Sequence, residues 1–356
     1  MSLRVAMIAD DLTGALDTSV AFAVHGFTTR VAVTPAAIAA ALRDDPEVLA
    51  INTASRALPP EAAAAVVREA TRMVSAARPA IRFKKIDSRL KGNVAAETAA
   101  MAGVLGARRL LVAPAVPDQQ RVVRGGRIAG RGVEAPLPVA PLFDGLGLDV
   151  SVADAETRGD LDAVISGGPP PDVLLVGASG LGQAIARALG GRTYRYSFQP
   201  AADTLFAFGS RDPITRDQLD TLILTYPELA VADLPAGRPP AIAPARLPAL
   251  LQCTGEVIEP ASAVARRFAE TVAAAVAQLR PATLVIGGGD TALAVLERLG
   301  AEVLAPVGEP VLGMVDVSVA LPGGALRCLV KSGGFGNVDA LVGLIESGPV
   351  ARAAGQ

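Results

Sequence analysis

The stretch RVAMIADDLTGA, residues 4–15, decides the fold class of this chain. Its apolar half is typical of a strand over Arg4–Ala9, two acids follow directly, and an alanine-rich helix is predicted over Ala15–Val24. The same order recurs along the first half of the chain. Further strands are predicted at 30–34, 48–51, 81–85, 109–113 and 173–176, and further helices at 61–77, 93–105 and 181–189. This alternation indicates an α/β fold in which helices cover a largely parallel sheet.

The second half of the chain repeats this order after a break in the pattern. A polar, aromatic stretch at 194–203 leads into a strand at 205–208, and strands at 283–286 and 326–331 each run into a glycine-rich loop. Because 356 residues exceed the usual size of one core, we expect two domains, 1–198 and 199–356, each with a largely parallel sheet covered by helices. The active site is expected in the cleft between these domains. Residues 117–141 are predicted to form a β-hairpin or flap.

The composition excludes several classes of function. The chain is 51% hydrophobic, yet it has no run of about 18 uncharged apolar residues that could span a bilayer, so we expect a cytoplasmic protein without a membrane role. A net charge of −2 and 3% aromatic residues argue against a nucleic-acid partner. His25 is the only histidine, and it precedes Gly26 at a predicted helix end. Catalysis is therefore expected to depend on carboxylates, lysine, arginine, backbone amides and a bound metal ion.

Lysine and asparagine are rare in this chain and fall close together. Of 33 basic residues only four are lysine, and asparagine occurs three times. These residues are Lys84, Lys85, Lys91, Lys331, Asn52, Asn93 and Asn337. Lysine is a compact charge and arginine a planar fork, so a lysine kept against an arginine-rich background indicates a site that needs the compact charge. The alternative is that a few lysines persist by chance.

Asp10 and Asp11 follow the first predicted strand. In parallel α/β sheets the ligand lies beyond the carboxyl ends of the strands, so both acids are expected in the pocket. Two adjacent carboxylates repel each other, which favours a nearby cation, metal ion or substrate hydroxyl. The structural alternative is that Asp11 caps the next helix, which would explain one acid and not the other.

Two more strand ends are expected at the same edge of the sheet. Arg56, after the third predicted strand, offers a fork for a carboxylate or is an ordinary surface arginine. The segment KKIDSRLKGN, residues 84–93, concentrates cations before a helix start, which suits an anion. Strand alternation sends Lys84 and Lys85 to opposite faces of the sheet. A solvated basic loop is the alternative, although the embedded Asp87 and Ser88 favour a polar site.

Glycine loops in the second half favour a phosphate site. Gly287–Ala292 and Lys331–Asn337 each follow a strand, and glycine lets backbone amides approach phosphate oxygens closely. Gly287–Ala292 also fits the pattern G-x-G-x-x-A, with Glu309 twenty residues beyond Gly289, so an NAD-dependent oxidoreductase is a rival hypothesis. No G-x-x-x-x-G-K-[ST] motif is present, so a kinase would hold ATP in another way.

Taken together, these segments resemble the four-carbon acid sugar kinase family, which includes D-threonate, D-erythronate and 3-oxo-tetronate kinases. The matching motifs are ADDLTGA at 9–15, KKIDSRLKGN at 84–93, GSxxPxT at 209–215, GGDTA at 288–292 and KSGGFG at 331–336. The resemblance implies a kinase whose N-terminal domain binds the acid sugar and whose C-terminal domain binds ATP with Mg²⁺. D-threonate or D-erythronate is the favoured substrate and 3-oxo-tetronate the other acid considered. A homodimer is compatible with the sequence.

The candidate residues form three sets. Those assigned to catalysis are Asp10, Asp11, Lys85 and Asp87, with Asp11 or Asp87 as the base. Those assigned to the acid substrate are Arg56, Lys84, Ser88, Arg89, Lys91 and Asn93. Those assigned to the nucleotide are Ser210, Gly288, Gly289, Asp290, Thr291, Lys331, Ser332, Gly333, Gly334 and Gly336. The chain departs from the family in a shorter C-terminal half and in Arg89 and Lys91, where a threonine and an arginine are more usual. A binding protein without turnover is the non-enzymatic alternative.

Overall fold

The computed structural model describes residues 3–168, 172–210, 212–239, 243–256 and 259–345. Contacts between residues divide the chain into two compact units. The first unit comprises Met1–Arg195 and Glu302–Gly308, and the second comprises Tyr196–Ala301 and Glu309–Gln356. The short segment Glu302–Gly308 thus belongs with the N-terminal half, although it lies late in the chain. The assignment of one unit to the acid and the other to the nucleotide stays a prediction, as does a cleft between them.

The first unit alternates strands and helices as the sequence predicts. Its strands are β1 (Val5–Ala9), β2 (Thr29–Ala32), β3 (Val48–Asn52), β4 (Ile81–Lys85), β5 (Arg109–Ala113), β6 (Arg121–Arg124), β7 (Arg127–Gly130), β8 (Leu137–Pro138), β9 (Asp149–Val152) and β10 (Val173–Gly177). Its helices are α1 (Leu12–Val24), α2 (Ile38–Arg43), α3 (Pro60–Ser75), α4 (Val94–Leu105), α5 (Arg158–Ile165) and α6 (Ser179–Leu189). Short 3₁₀ turns occupy Pro35–Ala37, Pro117–Gln119 and Ala140–Phe143.

The main sheet of this unit is parallel and runs in the order β2–β3–β1–β4–β10–β5–β9. Every residue of β1 is buried, as expected of a strand covered by helices on both faces. Helix α1 packs beside α6, and α3 packs beside α4. Gly182 of α6 is needed there, since a Cβ at this position would lie 2.2 Å from Thr18 of α1. The parallel register brings the ends of β3, β1 and β4 to one edge, which positions the candidate residues together.

A small antiparallel sheet of β6, β7 and β8 confirms the predicted hairpin, and we call residues 121–138 the flap. Gly130, at the end of β7, adopts a φ of +112°. A Cβ at this position would lie 1.9 Å from the carbonyl oxygen of Gln120, so only glycine fits there. The tight approach holds Gln120 and the start of β6 in place.

The second unit is also an α/β structure. Its strands are β11 (Thr204–Phe208), β12 (Ala230–Pro235), β13 (Ala249–Thr254), β14 (Thr283–Gly287), β15 (Val303–Val311), β16 (Met314–Leu321) and β17 (Gly324–Lys331), with β15 beginning in the first unit. Its helices are α7 (Pro213–Thr225), α8 (Ala261–Leu279) and α9 (Gly289–Arg298), and a 3₁₀ turn occupies Val342–Leu344. The order β12–β13–β11–β14–β17 is parallel, and β16 pairs antiparallel with β17. Phe206, Phe208, Val285 and Leu329 lie in its core.

The structure adds strands that the sequence did not predict. Pro306 and Pro310 lie within β15. Because proline lacks the backbone N–H that pairs in a sheet, the sequence did not indicate a strand here. Residues 303 and 304 of β15 nevertheless pair antiparallel with β2 in the first unit.

No helix among the described residues is long and apolar enough to cross a bilayer.

Candidate active site

Arg56 binds both acids of the ADDLTG segment. Its Nε and Nη2 donate to the two carboxylate oxygens of Asp10 at 2.7 and 2.9 Å, and its Nη1 donates to Asp11 Oδ2 at 2.9 Å. The parallel pairing of β1 with β3 places Ala9 opposite Asn52, so the residues that follow the two strands meet. The sequence interpretation of Arg56 as a fork for the substrate carboxylate differs from this arrangement. The fork is already filled by Asp10.

The network keeps Asp10 ionised. Burial acts to raise the pKa of Asp10, but the hydrogen bonds from Arg56 and the charge of Lys84 hold that pKa below its usual value. Burial acts to lower the pKa of Arg56, but the hydrogen bond to Asp10 and the charges of Asp11 and Asp10 raise that pKa. Asp10 and Arg56 therefore form a salt bridge at the carboxyl edge of the sheet.

Both carboxylate oxygens of Asp11 accept hydrogen bonds. It is the N-cap of α1, with its Oδ1 accepting from the Gly14 amide at 2.9 Å and its Oδ2 accepting from the Thr13 hydroxyl at 2.7 Å. The Arg56 guanidinium is a further donor to Oδ2. Asp11 thus acts both as the cap of the helix and as a member of the charged network.

The two lysines of β4 have different environments. Lys84 is 0% exposed, and its Nζ lies 2.8 Å from Glu97 Oε2 of α4. Lys84 therefore supports the site from within the protein, which differs from the predicted contact with the substrate. Lys85 points to the other face, where a Cβ on Gly14 would lie 2.8 Å from its Nζ. Lys85 is 4% exposed and has no acid within 4.0 Å among the described residues, although its charge acts on Asp17 and Asp10 from a greater distance.

The loop after β4 is organised by Asp87. Its Oδ1 accepts from the backbone amides of Arg89 and Lys91 at 2.8 and 3.3 Å. Its Oδ2 lies 4.0 Å from Arg56 Nη1, and the Asp87 side chain is 14% exposed. Asp87 therefore has one oxygen that holds the loop and one that faces Arg56.

Asn93 and Lys91, which lie later in this loop, make different contacts. Asn93 donates to the backbone carbonyls of Ser55 and Leu58, so it joins the loop of β4 to the loop that carries Arg56. This contact is structural and differs from the predicted contact with the substrate. Lys91 is exposed to solvent, and its backbone, not its ammonium group, takes part in the Asp87 turn.

Residues that the sequence analysis missed complete the site. Ser55 donates to Glu97 Oε1 at 2.7 Å, so Glu97 links Lys84 to the Arg56 loop. Asp17 of α1 is partly buried, and burial raises its pKa to about 6 against the opposing charge of Lys85. Arg121 of the flap donates from Nη1 to Ser88 Oγ at 2.7 Å. Asp17 lies six residues after Asp11, which is not a same-face spacing in a helix, so periodicity does not link the two acids, and no local pattern marks Arg121.

We expect the substitution Asp17→Asn to stabilise the protein at neutral pH. The folded state raises the pKa of Asp17 from 3.8 to about 6, so the ionised carboxylate destabilises the fold at higher pH. At pH 7.5 the free energy of unfolding should rise by about 1–2 kcal/mol, less than the shift would give for a fully buried group. At pH 3.5, where the carboxyl is mostly protonated in both states, the variant and the wild type should unfold nearly alike. Urea unfolding at the two pH values checks this, and a loss of stability at pH 7.5 would contradict it.

In the second unit, three strand-end loops surround one cavity. Strands β11, β14 and β17 are neighbours in the sheet, so the residues after Phe208, Gly287 and Lys331 meet at its edge. The cavity has a volume of about 450 Å³. Six of the ten predicted nucleotide residues line it, namely Ser210, Gly288, Gly289, Asp290, Thr291 and Gly333. Helix α9 begins at Gly289, so its free amides face the place where the glycines allow close approach of an anion.

The other four predicted residues do not line this cavity: Lys331, Ser332, Gly334 and Gly336. Lys331 is 1% exposed, and its Nζ donates to the carbonyls of Ser332 and Gly333 at 3.1 and 2.9 Å. Burial lowers its pKa to about 8, against the attraction of Asp212. Lys331 therefore stabilises the loop that follows β17 through hydrogen bonds to its backbone. A nearby anion would stabilise the positive charge of Lys331.

Helices α7 and α8 contribute residues that were not predicted. Thr215 donates to the Gly333 carbonyl, and Gln218 donates to the carbonyls of Phe335 and Asn337, so α7 holds the Lys331 loop in shape. The apolar wall of the cavity comprises Cys253, Ala261, Val264, Ala265 and Phe268. A wall of this kind suits a flat ring, whereas the opposite side of the cavity is polar.

The oxygen atoms that line this cavity are compatible with a magnesium ion that is held mainly by the phosphate oxygens of a bound molecule. The carboxylates of Asp212 and Asp290 lie in the cavity lining beside the hydroxyls of Ser210 and Thr291. Among the described residues, no three acids, thiols or imidazoles converge on one metal position. Mg²⁺ is commonly held by one or two carboxylates together with phosphate oxygens, which fits this set.

Comparisons with known proteins match two domain models to this chain. A sugar-binding N-terminal domain model matches residues 5–138, and a nucleotide-binding C-terminal domain model matches residues 237–341. The chain is 31% identical to a D-threonate kinase of Bordetella bronchiseptica over 95% of this chain and 96% of the relative. It is 35% identical to a D-erythronate kinase of Heliobacterium modesticaldum over 43% of this chain and 36% of the relative. Its fold is similar to that of a Haemophilus influenzae protein, with 19% identity and a TM-score of 0.68 over 94% of this chain and 97% of that protein.

Proposed function

The chain belongs to the four-carbon acid sugar kinase family, and we propose that it transfers the γ-phosphoryl group of ATP to a hydroxyl of a four-carbon sugar acid. Membership confirms the resemblance in the sequence. D-threonate and D-erythronate are the favoured acids, in line with the names of the relatives, and 3-oxo-tetronate is the next. The observation that most supports ATP as the donor is the cavity of the second unit, where the start of α9 and two glycine loops offer backbone amides.

Asp87 is the best-placed base in the first unit. A base must have an oxygen free to receive the proton of the attacking hydroxyl. Both oxygens of Asp11 and both of Asp10 accept hydrogen bonds from neighbours, whereas Asp87 Oδ2 has only a 4.0 Å contact with Arg56. In the proposed reaction the hydroxyl oxygen bonds to the γ-phosphorus, its proton passes to Asp87 Oδ2, and ADP leaves. Lys85 adds positive charge near the developing negative charge.

ATP is proposed to bind with its phosphates at the Gly288 and Gly333 loops and its base against the apolar wall of α8. The backbone amides at the start of α9 supply donors for phosphate oxygens. Mg²⁺ bound to the phosphates would neutralise charge during transfer, with Asp212 and Asp290 as the carboxylates in reach. The residues of this chain would then contribute by positioning ATP and by excluding water from the Gly288 and Gly333 loops.

A coupled assay of ADP release tests the proposal. The purified protein with ATP and Mg²⁺ should release ADP with D-threonate, D-erythronate or 3-oxo-tetronate, and no faster than background with D-glycerate or with no acid. Lys331→Ala should abolish most of this activity. Tight binding of an acid without ADP release would instead support a binding protein without turnover. Protection against thermal unfolding by NAD in preference to ATP would support the oxidoreductase.

We expect ATP affinity to fall as the pH rises above 8. Burial lowers the pKa of Lys331 to about 8, so the free protein loses this charge there, while a bound triphosphate favours the charged amine. ATP binding should therefore take up a proton, and Kd should increase roughly three- to tenfold between pH 7.5 and 9. Calorimetry in two buffers of different ionisation enthalpy measures the proton uptake. Lys331→Met should bind ATP weakly without this pH dependence, and a wild-type Kd that is constant over the range would contradict the prediction.

A further inference from the structure

The flap places a buried arginine against the loop of β4. Arg121 is the first residue of β6 and is 9% exposed. Its Nη1 donates to Ser88 Oγ at 2.7 Å and to Gln119 Oε1 at 2.5 Å, and its Nε donates to the Arg131 carbonyl at 2.9 Å. All of these partners are neutral. Among the described residues no carboxylate oxygen lies within 4.0 Å of the Arg121 guanidinium.

The nearest charges around Arg121 include another cation. Both arginines lie close to the backbone of Gly132, where a Cβ would be 3.5 Å from Arg89 Cδ and 3.9 Å from Arg121 Nη2. Arg89 also has no acid within 4.0 Å in the part of the chain that the structure describes. Burial and the charge of Arg89 lower the pKa of Arg121, against the opposing charge of Asp87. A buried guanidinium beside a partly buried one, neither with an acid within 4.0 Å among the described residues, is costly unless an anion completes the pair.

Arg56 is in the opposite situation. Its guanidinium binds Asp10 and Asp11 through three charge-assisted hydrogen bonds, so its charge is already matched by two carboxylates. A substrate carboxylate brought to Arg56 would also face the two carboxylates that Arg56 binds. The cations able to receive an anion are therefore on the other side of Asp87, in the loop of β4 and the flap.

We propose that Arg89 and Arg121 form the subsite for the carboxylate of the acid substrate, with Arg56 remaining the internal counter-ion of Asp10 and Asp11. This inference rests on the proposed function, because it assigns one end of the acid that is phosphorylated. Ser88, between Asp87 and Arg89, already accepts a hydrogen bond from Arg121, so the subsite adjoins the base within one loop. A carboxylate held by the two arginines directs the hydroxyl-bearing carbons toward Asp87.

The proposed subsite also predicts selection of an acid over a neutral polyol. A four-carbon alditol could supply the hydroxyls but would leave both guanidinium groups without an anion. Sites built around buried polar groups reject ligands that leave those groups unpaired far more strongly than apolar pockets reject ligands of the wrong size. The flap thus acts as a specificity element, because it brings Arg121 from outside the motifs that carry the chemistry.

Substitution of the arginines by glutamine tests the subsite. Arg121→Gln and Arg89→Gln should each raise KM for D-threonate or D-erythronate about 10- to 100-fold, with kcat changed much less. The preference for the acid over threitol or erythritol should shrink by the same factor, and Arg121→Lys should be intermediate, since it retains charge without the fork. The matched control is Arg124→Gln in the same strand, whose side chain is exposed and paired with Glu156, and it should leave KM unchanged.

The outcomes separate this inference from the proposed function. Thermal unfolding of each variant identifies loss of fold, and Arg89, which is only partly buried, provides a second readout if Arg121→Gln does not fold. KM values for the acid within twofold of wild type in the folded glutamine variants would overturn the subsite while the kinase activity stands. If the wild type releases no ADP with any acid, the proposed function fails. Calorimetric titration with D-erythronate then shows directly whether the arginines bind a carboxylate.

Discussion

Asp87→Asn should lower kcat for phosphorylation of the acid by about 100- to 10,000-fold, the range expected for loss of a general base. The substituted amide retains an oxygen that can accept from the Arg89 and Lys91 amides, so the loop should keep its shape. What it loses is the oxygen that receives a proton from the substrate hydroxyl. KM for ATP should stay within about twofold of wild type, because Asp87 lies in the first unit and the predicted nucleotide residues lie in the second. Coupled ADP assays with saturating acid measure both constants.

Asp11→Asn is the matched control for this prediction. Asparagine is as good an N-cap as aspartate and keeps the acceptor for the Gly14 amide, while its charge is lost from the Arg56 network. We expect a smaller loss of kcat than with Asp87→Asn. A larger loss in Asp11→Asn would assign the base to Asp11, and an unchanged kcat in Asp87→Asn would exclude Asp87 from proton transfer.

Lys84→Met should reduce the free energy of unfolding by about 3–5 kcal/mol. Lys84 and Glu97 are 0% and 1% exposed in their side chains and lie 2.8 Å apart. Removal of the lysine leaves the carboxylate of Glu97 buried with Ser55 as its hydrogen-bond donor and no opposite charge. The midpoint of urea unfolding, followed by circular dichroism, measures the loss. Activity should fall as well, since Ser55 precedes Arg56 in the loop that Glu97 holds.

The double substitution Lys84→Met with Glu97→Leu tests whether charge is the cause. Replacement of a buried ion pair by apolar side chains of similar volume is often neutral or stabilising, so much of the lost stability should return. If the double variant is as unstable as Lys84→Met, packing and not an unpaired charge explains the loss. If Lys84→Met loses less than about 1 kcal/mol, the pair does not stabilise the fold as proposed.

Several features of the fold follow from local sequence. The alternation of apolar runs and alanine-rich helices predicted the strands β1, β3, β4, β5 and β10 close to their observed bounds. The flap was recognisable from glycine and proline between periodic segments. Strands β15 and β16 were missed, because prolines disrupt the first and its pairing partners lie far away in the sequence. The antiparallel pairing of β16 with β17 is likewise determined by the tertiary structure.

For the candidate site, the sequence alone determined which short segments carry chemistry. Polar residues placed directly after apolar strands must gather at one edge of a parallel sheet, since the carboxyl ends of parallel strands point the same way. This physical rule brought Asp10, Arg56 and Asp87 together in the first unit. It also brought Ser210, Gly288 and Gly333 together in the second. Rare lysines at 84, 85 and 331 marked these segments, although they did not reveal which lysine would be buried.

Only the tertiary structure decided how the charges are paired. Arg56 and Asp10 are 46 positions apart and Arg121 and Ser88 are 33 apart, so no local pattern could show that one arginine is neutralised and the other is not. The reason is that the free energy of a charge depends on its burial and on its nearest partners, and both are set by the folded chain. The same dependence turned Lys84 into an internal support, left Lys85 without an acid partner among the described residues, and raised the pKa of Asp17.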